Sequence, residues 1–246
     1  AVTEDGRLLA LGFQDTGLTH SRTLMPIVEF ILKNADLTLQ SCDAIAVAAG
    51  PGSFTGIRIG VAAAKGLAVA AEKPVAAVST LEAMARNVSH ADGLVVCAMD
   101  ARRSQVYNAL FAAENGRLTR LTPDRAISLT DLAEELRDDS RPKTVVGDGG
   151  AMCYEALQAA GIACRLAPPH LVMQSAASVA LAAEEIARNG GLITAQALQR
   201  AVEVTSSRSY CEGASHITAQ AIQPVYLRPP QAERLRDRQQ KAKSHS

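Results

Sequence analysis

The segment that most constrains this chain runs from Asp43 to Ala71. Asp43 to Ala49 (DAIAVAA) is a short, almost wholly apolar run, which reads as a strand buried on both faces. It passes straight into Gly50-Pro51-Gly52-Ser53-Phe54-Thr55-Gly56, and a long Ala-rich helix follows to about Ala71. A buried strand, a glycine turn and a helix form the opening of a parallel α/β unit. Such a turn aims backbone N–H groups and the positive end of a helix at whatever lies above the strand. Gly50, Gly52 and Ser53 are therefore candidates for an anion or nucleotide loop. A tight turn for close backbone packing explains the same residues equally well, and both readings stay open. The turn is not a P-loop, because no Gly-Lys-Ser/Thr follows at the required spacing. Nor is it the usual dinucleotide fingerprint: its spacing is GxGxxxG, and the next strand ends in Ser79-Thr80 rather than in an acidic ribose ligand.

The pattern repeats along the chain. Pro74 to Ser79 reads as a second buried strand and Thr80 to Asn87 as a short helix. Leu94 to Met99 and Gln105 to Ala112 read as strands around an Asp100–Ser104 turn, where Asp100 is expected to stabilise the turn rather than to catalyse. An acidic helix is expected to about Asp138, then a strand at Thr144 to Val146. A turn at Gly147-Asp148-Gly149-Gly150 follows, whose Gly147 and Gly149 are a second candidate anion loop, and then a helix from Ala151 to Ala160. Ser175 to Asn189 is strongly periodic, and a short helix is expected over Ala195 to Val202. At the start, Ala1 to Thr3 and Arg7 to Phe13 flank a Glu4-Asp5-Gly6 turn, so the chain begins inside a strand and an earlier strand is expected to be missing. Strands alternating with helices give an α/β fold with mixed sheets. A unit over residues 1–90 and a second over 91–227 are expected, followed by a polar, basic tail at 228–246.

Two helices carry more apolar surface than one buried face needs. Leu24, Ile27, Val28, Ile31 and Leu32 recur at helical spacing around Pro26, with Thr19, Ser21 and Thr23 as candidate N-caps and His20 just before the helix. Gly56, Gly60, Ala64 and Ala68 recur every four residues and make a smooth stripe. The stripe serves either the chain's own sheet or the helices of a partner in a four-helix contact.

Composition excludes several function classes. Across 246 residues, 25 Lys+Arg balance 25 Asp+Glu, so the basic excess of an autonomous nucleic-acid binder is missing. Aromatics are 3% with no Trp, which leaves few stacking platforms for single-stranded bases. Cys42, Cys97, Cys153, Cys164 and Cys211 form no CxxC pair and suit buried thiols in a reducing cytoplasm. The start has no basic or apolar leader character, and the apolar stretch around Ile57 to Ala71 is broken by Arg58, Lys65 and glycines, so neither a signal peptide nor a membrane span is expected.

GPGSFTGIRIG, preceded by THSRTLMPIVEFIL and followed by KPVAAVSTLEAMA, resembles the TsaB (YeaZ) family, and MDARRSQVYNALF and the late PVYLR strengthen the likeness. It spans Ala1 to Arg228. The resemblance implies a two-domain actin/Hsp70-like (ASKHA, ribonuclease H-like) fold. It implies a non-catalytic partner of the TsaD subunit in making threonylcarbamoyladenosine next to the tRNA anticodon. TsaD, helped by the ATPase TsaE, would transfer threonylcarbamoyl from threonylcarbamoyl-AMP. The docking surface would be the first two helices, through Leu24, Ile27, Val28, Ile31, Gly56, Gly60 and Ala64, and the same surface would serve a homodimer. The chain itself would require no cofactor and bind ATP or ADP at most weakly, with ATP used by its partners and tRNA met only within the complex. TsaD-like proteins carry a metal-binding HxxxH after the strand matching Pro74 to Val78; here those positions are Thr80 and Met84, which are poor hard-metal ligands. Family members normally open with a strand and an Asp-Thr turn that contacts phosphate, and the present start lacks both. Two other classes remain open: a hydrolase, although Ser53 is not in a GxSxG elbow, and a stand-alone nucleotide-binding ATPase.

Overall fold

In a computed structural model, residues 1–18 and 20–198 are described, without the side chains of His20 and Ser21. Thr19, residues 199–202 of the expected last helix, Cys211, the PVYLR segment and the expected tail lie outside them.

The chain opens with a hairpin, β1 (Val2–Glu4) and β2 (Arg7–Ala10), the second strand ending short of Phe13. Helix α1 (His20–Asn34) starts at His20, so Ser21 and Thr23 lie inside it, and Pro26 falls within it rather than near its start. Strand β3 (Ile45–Gly50) leads into α2 (Phe54–Ala71), and β4 (Val75–Ser79) pairs parallel with β3. Helix α3 (Thr80–Asn87) follows, capped by Ser79, whose hydroxyl accepts the Glu82 N–H at 3.2 Å. The β1–β2 and β3–β4 pairs are not hydrogen-bonded to each other.

Beyond α3 comes a six-stranded sheet. Strand β5 (Gly93–Asp100) runs antiparallel to β6 (Gln105–Glu114), whose other edge takes both β7 (Arg117–Arg120) and β8 (Arg125–Ser128) at successive positions. After α4 (Leu129–Leu136), β9 (Lys143–Val146) pairs parallel with β5. Helix α5 (Gly150–Ala159) then leads to β10 (Arg165–Leu166), which pairs parallel with β9. The short α6 (Pro169–Val172) precedes α7 (Ala176–Arg188), and residues 195–198 are again helical.

Side-chain alternation along β5 divides the second core. Leu94, Val96 and Ala98 pack with Leu132 and Leu136 of α4 and Cys153 and Leu157 of α5. Val95, Cys97 and Met99 pack with Leu81, Met84 and Ala85 of α3 and with Val88 at its C-terminal cap, along with Phe111. Helix α3 also turns Ala83 towards Val78 of β4 and Val179 and Ala182 of α7. It is therefore a buried layer shared by both sheets. Helix α7 lies against β1, β3, β4 and α3, and Ile193 exchanges backbone hydrogen bonds with Val75. Helix α7, Ile193 and Leu198 lie beyond residue 90 in sequence but pack with elements of the 1–90 segment.

Helix α2 is long and apolar enough, by length and composition, to cross a membrane, so the interrupting charges do not exclude it on that test. Its Ile57, Val61, Ala64 and Ala68 pack with Val47, Val75 and Leu198, as the core helix of an α/β layer does.

Candidate functional site

Both glycine turns leave parallel strands at their C-terminal ends, and each lies against the end of β5. At Gly52, a Cβ would stand 3.7 Å from the Met99 Cε near the end of β5. At Gly149, a Cβ would stand 2.8 Å from the Asp100 nitrogen. At Gly147, with φ +123°, it would meet the Ala98 carbonyl oxygen at 2.2 Å, a position only glycine can hold. The Gly149 N–H donates to the Ala98 carbonyl at 3.0 Å, and the Gly150 N–H to the Gly147 carbonyl at 2.8 Å. Close packing on β5 thus explains Gly147 and Gly149. In the first turn, Gly50 also has positive φ, and Ser53 caps α2 by accepting the Gly56 N–H at 3.4 Å.

Asp100 has the turn-forming role read from the sequence: its Oδ1 accepts the Arg102 N–H at 2.6 Å. The Asp100 N–H in turn donates to Asp148 Oδ1 at 3.3 Å. Desolvation at the strand ends lifts the Asp148 carboxyl above its ordinary range, against backbone hydrogen bonds from Asp100 and Gly149. The hairpin tip carries a feature that sequence reasoning misses. Arg102, Arg103 and Ser104 have φ of 66°, 58° and 55°, three successive non-glycine residues in the left-handed region. Each is disfavoured there by roughly 1–2 kcal/mol.

The helix surfaces differ from the expected pattern. Ile31 is buried, and a Cβ on Gly12 would meet its Cδ1 at 2.8 Å and the Ile27 Cγ2 at 2.9 Å. Ile27 and Ile31 therefore turn inward, and Leu24 and Val28 are half-buried beside them. The outward face of α1 is Arg22, Met25, Pro26, Glu29, Phe30 and Lys33, with Phe30 66% exposed. On α2 the glycine–alanine stripe divides. Ala64 and Ala68 are inside the core, Gly56 and Gly60 are half-buried, and a Cβ on Gly60 would make only ordinary contact with Val47 at 3.8 Å. Phe54 and Val69 face outward, and the Arg58 guanidinium stands 5.1 Å from the Phe54 ring centre. Ile31 and Ala64 thus belong to this chain's own core, whereas Met25 and Phe30 are exposed.

Thr80 and Met84 are 3% and 1% exposed and face the core around α3. Next to them lies an ion-pair network that the sequence reading did not find. Ser79 Oγ donates to Asp124 at 2.7 Å, and Arg120 holds Asp124 at 2.6 Å and Glu82 at 3.1 Å. Arg86 joins Glu82 at 3.3 Å to Glu185 of α7 at 2.5 Å. The Arg120 guanidinium also covers the Phe111 ring at 4.6 Å. The Glu82–Arg86 and Arg120–Asp124 spacings of four residues are visible in the sequence; the links between them form only on folding.

A protein-family model described as "TsaD: tRNA N6-adenosine threonylcarbamoyltransferase" matches residues 14–230. The chain is similar to the tRNA threonylcarbamoyladenosine biosynthesis protein TsaB of Bacillus subtilis (strain 168), 44% identical over 128 residues, 52% of this chain and 56% of that protein. It is similar to TsaB of Escherichia coli (strain K12), 43% identical over 119 residues, 47% of this chain and 51% of the other. The chain thus spans about half the length of the curated relatives it matches. Among solved structures it resembles YeaZ from Pseudomonas aeruginosa, with a TM-score of 0.62 and 26% identity over 73% of this chain and 82% of the other. The mixed sheets flanked by helices fit the actin/Hsp70-like (ASKHA) class.

Proposed function

We propose a function from one premise: the chain belongs to the TsaD-type family of that model, on its TsaB (YeaZ) branch. It is a non-catalytic scaffold or activator subunit in tRNA threonylcarbamoyladenosine biosynthesis. A TsaD-like subunit transfers threonylcarbamoyl from threonylcarbamoyl-AMP to the adenosine next to the anticodon, with help from a TsaE-like ATPase. This chain holds the TsaD-like subunit through α1 and α2, in the cytoplasm, and binds ATP or ADP at most weakly at its glycine turns.

The observation that carries this reading is the apolar surface on the two helices. Met25 and Phe30 of α1 and Phe54 and Val69 of α2 are exposed, as are Pro26, Ala62 and Ala70, while Ile27, Ile31, Ile57 and Val61 face inward or are half-buried. An exposed apolar surface of this kind marks an interaction site. The scaffold role is further supported by Thr80 and Met84. Both side chains fill the core at the positions where the resemblance places metal ligands, and neither offers an imidazole. The same surface is available to a second copy, so a homodimer competes with the heterodimer.

Light scattering after size exclusion tests the reading, with the chain alone, the chain mixed with its TsaD-like counterpart, and a Phe30→Asp variant. A one-to-one heterodimer is expected from the unmodified chain. Phe30→Asp is expected to weaken it at least tenfold, as loss of an aromatic anchor does, while its unfolding midpoint stays unchanged. A folded, unmodified chain that forms no heterodimer, or a variant that binds equally well, would overturn the docking role.

A further inference from the structure

The two helices with the outward apolar surface also carry unbalanced charge. Helix α1 holds Arg22 and Lys33 against Glu29, and α2 holds Arg58 and Lys65 with no carboxylate. The helices lie against each other, in a chain whose total charge is zero. Among the described residues, none of these five side chains forms an ion pair. Elsewhere Arg86, Arg120, Arg125, Arg141 and Arg188 close theirs at 2.5–3.3 Å. Lys65 is half-buried, and the loss of water pushes its ammonium below the ordinary lysine range with no ion pair to offset it.

These cations alternate with apolar residues. On α2, Phe54, Arg58, Ala62, Lys65 and Val69 recur every three or four residues and so share one face of the helix. On α1, Arg22, Pro26, Glu29 and Lys33 do the same, with exposed Met25 and Phe30 beside them. The Arg58 guanidinium lies 5.1 Å from the Phe54 ring centre, a contact that leaves its charge unneutralised. An extended polyanion would neutralise the cations and leave the apolar residues between them in water. A protein surface with an apolar centre and carboxylates around it covers both. A second copy of this chain covers the apolar residues but brings a second set of the same four cations against the first.

We propose that the α1–α2 surface selects an acidic protein surface as its partner and disfavours a second copy of this chain, with Arg22, Lys33, Arg58 and Lys65 as the selecting residues. The proposal rests on the docking role given above, in which that acidic surface belongs to the TsaD-like subunit. The apolar residues supply affinity, and the cations set the choice of partner and the rate of encounter.

The test is the dissociation constant of the heterodimer, and of the full chain with itself, by sedimentation at about 50 mM and about 500 mM salt. The unmodified chain is expected to hold its TsaD-like counterpart about tenfold more weakly at the higher salt, where charges are screened. Its self-association should be weaker than the heterodimer at low salt and should strengthen as salt rises. R22E/R58E is expected to weaken the heterodimer by about tenfold or more at low salt and to strengthen self-association. Both positions are exposed and lie in the N-terminal halves of their helices, where a carboxylate is tolerated, so the unfolding midpoint should hold. K33E/K65E should repeat the loss, while R22K/R58K keeps the charges and should stay within about threefold. A heterodimer that ignores salt and both reversals, yet is lost in Phe30→Asp, would overturn the charge selection and leave the scaffold role standing. A heterodimer that never forms would overturn the scaffold role, and the partner proposed here with it. Self-association tighter than the heterodimer at low salt would also overturn the proposal. So would labelled tRNA that binds the isolated chain and is lost in R22E/R58E while the heterodimer is kept, because the cations would then serve RNA.

Discussion

The two halves of the molecule bury their apolar residues to different degrees. In the second, Leu94, Val96, Phe111, Leu132 and Leu157 are at most 1% exposed, enclosed by a continuous six-stranded sheet with helices on both faces. In the first, Leu8, Leu9, Leu11, Phe13, Met25 and Phe30 are 37–66% exposed around two strand pairs that do not bond to each other. Among the described residues, three large hydrophobics of the second half are exposed, Leu121, Leu166 and Met173, against nine of the first. Stability is therefore concentrated in the second half, and binding surface in the first.

The largest effect should come from removing a ring in the closed half. Phe111→Ala is expected to destabilise the chain by about 3–5 kcal/mol, seen as a lower urea midpoint. Phe111 is 1% exposed and also lies beneath Arg120. Leu9→Ala in the open half, where the side chain is 37% exposed, should change stability by less than about 1 kcal/mol. Equal losses at the two sites would break the comparison.

The same contrast explains what could be read from the sequence. Strand β5 was legible because Leu94 to Met99 is apolar on both faces, and both faces are buried. Helix α7 was legible from its period. Strands β7, β8 and β10 were not: RLTR, RAIS and RL are short and charged, and they form by pairing along existing edges rather than from any local preference. On α1, apolar residues lie on several sides, so spacing alone could not tell the inward Ile31 from the outward Phe30. The glycines at 147 and 149 were noticed for their type, but their reason, contact with the β5 backbone, lies about fifty residues away in sequence. The left-handed run at Arg102 to Ser104 carries no local signal, since the pairing of Asp100 with Val106 sets the length of the turn.

The joint between the halves should show an intermediate effect. Arg120 stands between Glu82 of α3 and Asp124 of the β7–β8 turn, with its side chain 32% exposed. Arg120→Met would leave two carboxylates facing each other without a cation, at a cost of about 1–3 kcal/mol. Hydrogen exchange should quicken in α3 and in β7–β8 and stay unchanged in β9. Adding Asp124→Asn to Arg120→Met should recover part of the loss, because the remaining like-charge repulsion falls. Loss of protection across the whole six-stranded sheet would show that the joint, rather than the sheet, sets stability.

The smallest effect concerns acid. Asp139, after α4, is held at a pKa of about 2, first by the side-chain hydrogen bonds of Arg141, then by the Arg141 backbone N–H and by the charges of Arg141 and Lys143. Burial opposes them. Lys143 completes the cluster, donating to the Asp139 and Arg141 carbonyls from a side chain 4% exposed. The folded pKa lies below the ordinary carboxylate value near 4, so the charged form is favoured by folding. This contribution is fully present above about pH 4 and is lost as pH falls towards about 2. With Arg141 43% exposed, the pair is screened by water, and its stabilisation is about 1 kcal/mol or less. Asp139→Asn should lower the urea midpoint slightly at pH 6 and leave it nearly unchanged at pH 2. The gap between the two proteins should therefore narrow on acidification. A gap that stays constant with pH would mean that Asp139 acts only as a neutral cap between α4 and β9. The acid sensitivity of the closed half would then have to arise at another carboxylate.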